Sequence, residues 1–568
     1  MGTELEFDSE SPHKVGLALS GGGFRAAFFH LGVLSGLAEK GMLKDIEVIS
    51  TVSGGSIIGA LYYLRLKNLL EKKEDHEIKD KDYVSLIEGI EKEFTKGVEK
   101  NIRMEAFSNL YKNLKITFKP FSYTRLNYLG ELYENYFYKD VAGKSSIEMQ
   151  DLRIDMASKN PTRQNKAPNL FINSTLLNNG RSWHFTPYEM GQFGEGIKPI
   201  KYEDYDNSVY LRDAVAASAS VPGIFPSLGL VEKNGYNKYH FKLVDGGVTD
   251  NLGIQALIDQ NCTHFIISDG SRQLDLVTEN KDYAVNKLST LGRTNDILMS
   301  QVTKLQLQDL KGKYTIDHLH LRDDLSGPNI NWGINLERGI KKEEWINISK
   351  DDFSQAKALS KVEGIKPRDI YTFLDDLNSY KGATCYGIDK KVQHYLSKIR
   401  TDLDAFSQIE ASSLMMSGYA ICKKRTKKSK ISLKGKFNFK KIKAYLEKPN
   451  DLLIDRLEKR SKKQIQKKSQ KAKNSLRNLL LVLWIGCVPA IILHTYSSDS
   501  IKFSIIVITL LLNWFISMFF TPFFKVVPYH VIKNILLIFF SILYFFIRKP
   551  LNSRFLKKGT LDYLEKCK

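Results

Sequence analysis

The stretch Ile49–Ile58, ISTVSGGSII, runs a β-branched strand into a serine followed at once by two glycines. Small residues at such a corner mark a place where something comes close to the backbone: another helix, a phosphate or a substrate carbonyl. Around it, Ile46–Val52 reads as a buried strand and Gly54–Leu70 as a helix. Upstream, Val15–Leu19 (VGLAL) is a second short apolar run, broken by Gly21–Gly23. Phe24–Lys40 then reads as a helix, with Ala26, Ala27, His30, Leu31 and Leu34 on roughly one face and Gly41 just beyond its end. Strand–helix–strand–helix is the opening of a parallel sheet covered by helices, an α/β fold.

Residues 73–150 are charged and aromatic (EKKEDHEIKDKD, then YLGELYENYFY) and read as an inserted helical cap. Strand signals return at Leu170–Leu176, His184–Pro187, Phe241–Val244, His264–Ser268 and His318–Leu321. A long helix is expected over Asn286–Leu310, and helical patterns continue to about Ile421. Nothing repeats internally.

A serine where a strand turns into a helix is the place of a nucleophile elbow, G-x-S-x-G. Here the five residues are Thr51-Val52-Ser53-Gly54-Gly55, with threonine in place of the first glycine. A hydroxyl is a weak nucleophile and needs a base. Asp245, in LVDGGVTDN, stands at the C-terminal end of a strand, and Gly246 and Gly247 turn the chain after it. Ligands of open α/β sheets bind at that edge. Ser20-Gly21-Gly22-Gly23-Phe24-Arg25 opens a helix, so its amides lack intrahelical acceptors and could hold an oxyanion, with Arg25 adding positive charge. Each block also has a plainer reading: tight packing at the serine corner, and a simple turn at Asp-Gly-Gly. Gly21-x-Gly23-x-x-Ala26 also satisfies a dinucleotide fingerprint. That fingerprint wants an acid at the end of the second strand, whereas Asp45 and Glu47 lie at its start. Among eleven histidines, His30 and His240 lie nearest the motifs, and both read as structural.

Taken together, the blocks resemble the patatin-like phospholipase family, whose pattern is G-G-G-x-R, G-x-S-x-G and D-G-[GA]. They stand here as Gly21–Arg25, Thr51–Gly55 and Asp245–Gly247. Further similarities are His30-x-Gly32-Val33-Leu34, Ala216–Pro226 (AASASVPGIFP) and Arg400–Ala420 (RTDLDAFSQIEASSLMMSGYA), so the resemblance covers about Lys14–Ile421. It implies a three-layer α/β/α domain with a mostly parallel central sheet, and a Ser–Asp dyad rather than a triad. Carried over by position, Ser53 is the nucleophile and Asp245 the base. The backbone of Gly21, Gly22 and Gly23 with Arg25 forms the oxyanion hole, and Gly54, Gly55, Gly246 and Gly247 support the elbow and turn. The implied activity is cleavage of fatty-acyl esters of a lipid through an acyl-Ser53 intermediate, with no cofactor and no metal. A non-catalytic scaffold and an acyltransferase are the alternatives. A solvated aspartate, with a pKa of about 4, is a poor base at neutral pH. Asp245 is therefore expected to be desolvated, or to act by orienting the hydroxyl.

The length, 568 residues, fits two to four structural units. The expected division is a tail at 1–13, a catalytic domain at 14–422 containing the cap at 73–150, a basic juxtamembrane segment at 423–475, an α-helical transmembrane region at 476–550 and a basic tail at 551–568. The net charge of +21 is concentrated: 21 Lys/Arg stand against 4 Asp/Glu between Lys423 and Lys473. The five cysteines (Cys262, Cys385, Cys422, Cys487, Cys567) are single, which argues against a disulfide framework or zinc site and fits a reducing compartment. The acidic start MGTELEFDSESPHK does not read as a signal peptide, and Glu6 at the Ser/Thr position discounts myristoylation of Gly2. Phe503–Phe524 is long enough to span a bilayer; Leu479–Leu493 is shorter and holds Pro489; Ile535–Ile547 is shorter still. Two spans with an interfacial or re-entrant third segment are favoured over three, and the positive flank places the catalytic part in the cytoplasm. The lysine-rich segment is read as adhering to anionic lipid head groups, ahead of a plain linker or a nucleic-acid arm. No nucleic-acid partner is expected, and nothing in the pattern specifies an oligomeric state.

Overall fold

The computed structural model describes residues 13–119, 122–154, 167–192, 198–234, 237–271, 287–325, 330–334, 346–348, 370–374, 380, 382–426, 433–461, 556 and 559–562. The chain opens with β1 (Val15–Leu19), α1 (Gly23–Glu39), β2 (Ile46–Val52) and α2 (Gly54–Lys72). The cap follows as α3 (Asp80–Val98), α4 (Ile102–Ser108), α5 (Leu110–Phe118), α6 (Arg125–Tyr133) and, after a π-turn, α7 (Lys139–Ala142). Next come β3 (Asn169–Leu176), β4 (Arg181–Phe185), β5 (Glu189–Gly191), β6 (Ile200–Lys201) and α8 (Leu211–Ser218). Then β7 (Leu228–Asn234), β8 (Asn237–Asp245), α9 (Gly247–Asp250), α10 (Gln255–Asp259), β9 (His264–Asp269), α11 (Lys287–Leu310) and β10 (Thr315–His320) complete the main sheet and its cover.

Five strands, in the order β10-β9-β1-β2-β3, run parallel. Beyond β3 the sheet continues antiparallel through β4, β5 and β6, with the β7–β8 hairpin also joined to β3. The parallel half was readable because both faces are buried, so its strands are unbroken apolar runs. Leu17, Leu19, Ile49, Ile172 and Ile266 face one core, while Ala18, Val48, Phe171, Phe265 and Ile267 face the other. The first core is covered by α1, α2 and the cap helices, the second by α10 and α11, giving the three layers. The helical reading up to Ile421 is corrected in part. A small antiparallel sheet of β11 (Ile330–Ile334), β12 (Ile346–Ile348) and β13 (Ile370–Leu374), ordered β12-β11-β13, precedes α12 (Lys390–Lys398) and α13 (Gln408–Arg425).

The α1 and α13 helices pack backbone to backbone. A Cβ on Gly32 would overlap the Met415 carbonyl group. Gly32→Ala is therefore expected to destabilise the fold by about 3 kcal/mol, because neither backbone can yield without moving a whole helix. A denaturant midpoint compared with the parent chain measures it.

The boundary expected at 422/423 does not hold as a structural one. Residues 433–461 fold back onto the domain through α14 (Lys443–Glu447) and α15 (Asp451–Ser461). Phe439, Ile442, Leu446, Leu453 and Leu457 are all fully buried. Glu39 of α1 explains the lysines: it accepts from Lys440, Tyr419 and the Gly435 N–H and also pairs with Lys423. Part of the basic run expected to adhere to anionic lipid head groups is thus the partner of a buried carboxylate. Near the other end, the Ile409 N–H donates to the Gly559 carbonyl and Leu561 is buried in the main core. Among the described residues no helix is long and apolar enough to cross a membrane. The transmembrane segments expected within 476–550 lie outside the described residues, as does most of the N-terminal tail.

Candidate active site

Ser53 sits between the last residue of β2 and the first of α2, with φ 50° and ψ −115°. A side chain rarely adopts this left-handed region, and strain of this kind persists only where the surroundings fix it. A relay of hydroxyl groups does so. The Ser53 N–H donates to Ser218 Oγ at 2.9 Å, and Ser218 Oγ shares a hydrogen bond with Ser56 Oγ at 2.8 Å. Ser56 Oγ donates to Thr51 Oγ1, which donates to the Phe171 carbonyl of β3. The glycines of the opening stretch answer the question they raise. Cβ atoms on Gly54 and Gly55 would overlap the backbones of Gly23 and Leu19, so the first turn of α2 lies directly on the β1–α1 loop. Thr51, the departure from the expected pattern, is accommodated one turn further on. A Cβ on Gly59 would lie 2.5 Å from Thr51 Cγ2, so glycine there makes the room that a first elbow glycine would otherwise make.

Asp245 reaches Ser53 through the register of β3. Along one edge of β3, Asn173 pairs with Val52 of parallel β2, and the next residue, Ser174, pairs with Asp245 of antiparallel β8. The two strands therefore meet end to end on the same edge, and the residue after Val52 lies against the last residue of β8. Asp245 N–H donates to the Ser220 carbonyl and Thr175 Oγ1 to the Asp245 carbonyl, which fixes the strand end. The Ser53 side chain lies close enough to the Asp245 carboxylate to favour its ionised form, and the Gly247 N–H donates to Asp245 Oδ1 at 2.8 Å. Burial pushes the Asp245 pKa up to about 6, against the Gly247 hydrogen bond and the Ser53 side chain, which favour the ionised form.

The glycine block is brought to the same place but is not uniform. Gly22 and Gly23 have φ of 137° and 58°, and among the described residues their N–H groups have no partner. The Gly21 N–H, expected with them, donates instead to the Asn251 carbonyl at 2.9 Å. Arg25 is a further correction. It is fully buried, and its guanidinium donates to the carbonyls of Gly270, Ser397 and Ile399. It ties α1 to the loop after β9 and to the end of α12, and it does not line the site cavity. Gly246 and Gly247 form the turn into α9, as expected.

The two histidines near the motifs are structural. His30 is held between Ser268 Oγ and the Ser20 carbonyl, and burial lowers its pKa to about 4. His240 is exposed on β8. Other residues at the site escaped the sequence reading. Asn251 lies where Cβ atoms on Gly21 or Gly247 would collide with its Oδ1, so it fills the space both glycines leave. Ser218, in AASAS, looks like any small helical residue until its hydroxyl is seen under Ser53. Asp269 at the end of β9 hydrogen-bonds His318, with His320 3.7 Å away. Burial would raise its pKa, but His320, His318 and the Ser271 side chain outweigh this and hold its carboxyl well below the usual range. No group of three or more candidate metal ligands gathers among the described residues.

Ser53, Asp245 and Gly21–Gly23 open into a cavity of about 1410 Å³ that runs past α4 and α11 to the Asp269–His318 pair. Phe107, Phe225, Val221, Ile224 and Leu403 supply apolar wall. A hydroxyl beside a desolvated carboxylate, with unpartnered amides and a partly apolar cavity of this size, is suited to acyl transfer from a large ester.

Residues 17–258 match the family model described as Patatin-like phospholipase. Solved structures similar to the chain include human GIVD cytosolic phospholipase A2 in complex with methyl gamma-linolenyl fluorophosphonate and terbium chloride, at 14% identity and a TM-score of 0.36, covering 73% of this chain and 58% of that one. Another is VipD from Legionella pneumophila, at 13% identity and a TM-score of 0.23, covering 64% of this chain and 68% of that one. Both likenesses are distant and add nothing about function. No curated protein matches the chain. The segment 17–258, which carries the serine, the aspartate and the glycine block, is thus similar to the patatin-like phospholipase family.

Proposed function

We propose that the chain is a membrane-anchored serine lipid acyl hydrolase, and the observation that carries the reading is the end-to-end meeting of β2 and β8, which sets Asp245 against Ser53. Asp245 takes the proton of Ser53 Oγ as that oxygen attacks the ester carbonyl. The oxyanion is received by the Gly22 and Gly23 N–H groups and by the Gly54 N–H, which opens α2 and has no intrahelical acceptor. Collapse expels the alcohol, which leaves with the proton from Asp245, and Ser53 stays acylated. Water then attacks the acyl carbon, gives its proton to Asp245, and the fatty acid departs as Ser53 regains its hydrogen.

The scaffold alternative drew on Thr51 and the large charged segment, and Gly59 weakens the first of these supports. Transfer to a lipid acceptor would use the same acyl-enzyme, and product analysis separates the two. Incubated with a defined diacyl phospholipid, the chain is expected to release free fatty acid and lysophospholipid. Acyl groups found on a second lipid would make it a transferase, and neither product would end the hydrolase reading.

Membrane anchoring rests on the apolar segments within 476–550, with the catalytic domain, now extending to 461, on the cytoplasmic side of the basic flank. Two crossings are favoured over three. α15 and the Gly559–Leu561 stretch both lie on the catalytic domain, which supports an even number of crossings between them. Lys423 and Lys440 are engaged with Glu39, so any attraction of 423–475 to anionic head groups falls to its remaining lysines.

A further inference from the structure

The cap helix α5 turns Asn113 and Ile116 inward and leaves an apolar face outward. Leu110, Tyr111, Leu114 and Phe118 are 41%, 71%, 36% and 78% exposed. Single exposed apolar residues are ordinary, but a contiguous group of large ones marks a contact surface. This face continues from the cavity wall. α5 follows α4 directly, and Phe107 of α4 meets Phe225 with ring centroids 5.9 Å apart. The turn that carries Phe225 also carries Val221 and Ile224, 36% and 53% exposed, both lining the cavity. Val221 and Ile224 thus border the opening that leads to Ser53, and the four apolar side chains of α5 begin two residues after Ser108, which also lines it.

We propose that α5 and the Val221–Ile224 turn dock on the surface of a phospholipid bilayer and open the cavity onto it. Three observations favour a bilayer over a protein partner. The Val221–Ile224 turn borders the entrance that a lipid would use. The basic residues of α5 flank its apolar face: Lys112 is paired to Glu131, Lys115 lies 3.8 Å from the centre of the Tyr123 ring, and Lys119 is exposed at the helix end. That is the pattern of a helix lying in a lipid interface. Finally, the chain beyond the long apolar run returns to this side of the domain. Gly559 and Leu561 sit at the start of α13, a few residues after Thr401–Leu403, which wall the cavity and receive the Arg103 N–H of α4. The inference rests on the lipid-hydrolase reading for its purpose but is tested apart from it.

The full chain is reconstituted in phosphatidylcholine nanodiscs, with and without phosphatidylserine. A Phe118→Trp chain is compared with the parent for quenching by lipids brominated along the acyl chain. The emission added by the new tryptophan is expected to be quenched. Unquenched emission would overturn the proposal and leave the face to a protein partner. In a second arm, Tyr111→Asp/Phe118→Asp is expected to slow hydrolysis of nanodisc phospholipid about tenfold, since two large apolar contacts are lost, while a soluble butyrate ester is cleaved within about twofold of the parent rate. Equal loss on both substrates, or on neither, would contradict it. If the parent chain cleaves neither substrate, the hydrolase reading fails, and the quenching arm still decides the docking.

Discussion

Ser53→Ala is expected to lower fatty-acid release from phospholipid by at least about 10⁴-fold, the scale on which removal of an activated nucleophile acts. The residual rate would come from binding and from the Gly22, Gly23 and Gly54 amides alone. The substitution removes only the Oγ. The strained backbone and its anchor, the Ser53 N–H to Ser218 Oγ bond, remain. Thermal unfolding is therefore expected to change little, which separates a chemical role from a structural one. A parallel loss of activity and of the folded state would instead make the serine a packing element.

Asp245→Asn should lower turnover by about 10³-fold or more, since an amide cannot accept the Ser53 proton. In the parent chain, kcat/KM should rise with pH with a midpoint near the pKa of about 6 that burial gives Asp245, because only the ionised carboxylate is a base. Stability should move the other way. The folded pKa is raised above the unfolded value of about 4, so between the two the folded chain keeps a proton that the unfolded chain has lost. The stabilisation is complete below about pH 4 and is lost as pH rises through about 6, a difference of about 3 kcal/mol. The amide of the Asp245→Asn variant has no charge to bury, and its oxygen can still accept from the Gly247 N–H. The variant should therefore be more stable than the parent at pH 7, by up to about 3 kcal/mol, and nearly equal to it at pH 4. Unfolding midpoints at the two pH values, set beside the rate profile, measure both signs.

The parallel half of the sheet and its first two helices could be read from the chain almost residue by residue. Val15–Leu19 and Ile46–Val52 are buried on both faces, and glycine marks their ends. The antiparallel wing was harder. β5 and β6 are too short to show a period, and β7 mixes Gly229, Glu232 and Lys233 with apolar residues. The serine and the glycines could be named because they stand at sharp corners, and the aspartate because it closes a strand just before Gly246 and Gly247. What could not be read was the division of labour among side chains. Arg25 looked like a charge for an oxyanion, but three carbonyls hundreds of residues away claim it. Ser218 and Asn251 carry no local signal, since their roles exist only once β8 stands beside β2. The lysines of 423–461 showed their sum but not that Glu39 waits for two of them.

The central claim is that Ser53 is the activated hydroxyl of this cavity. Treatment of the full chain with an alkyl fluorophosphonate, followed by intact mass and peptide mapping, tests it most directly. The account predicts one adduct per chain, on Ser53, forming far more slowly in Asp245→Asn. An unmodified Ser53 under conditions in which the chain hydrolyses lipid, or an adduct on another residue, would contradict it.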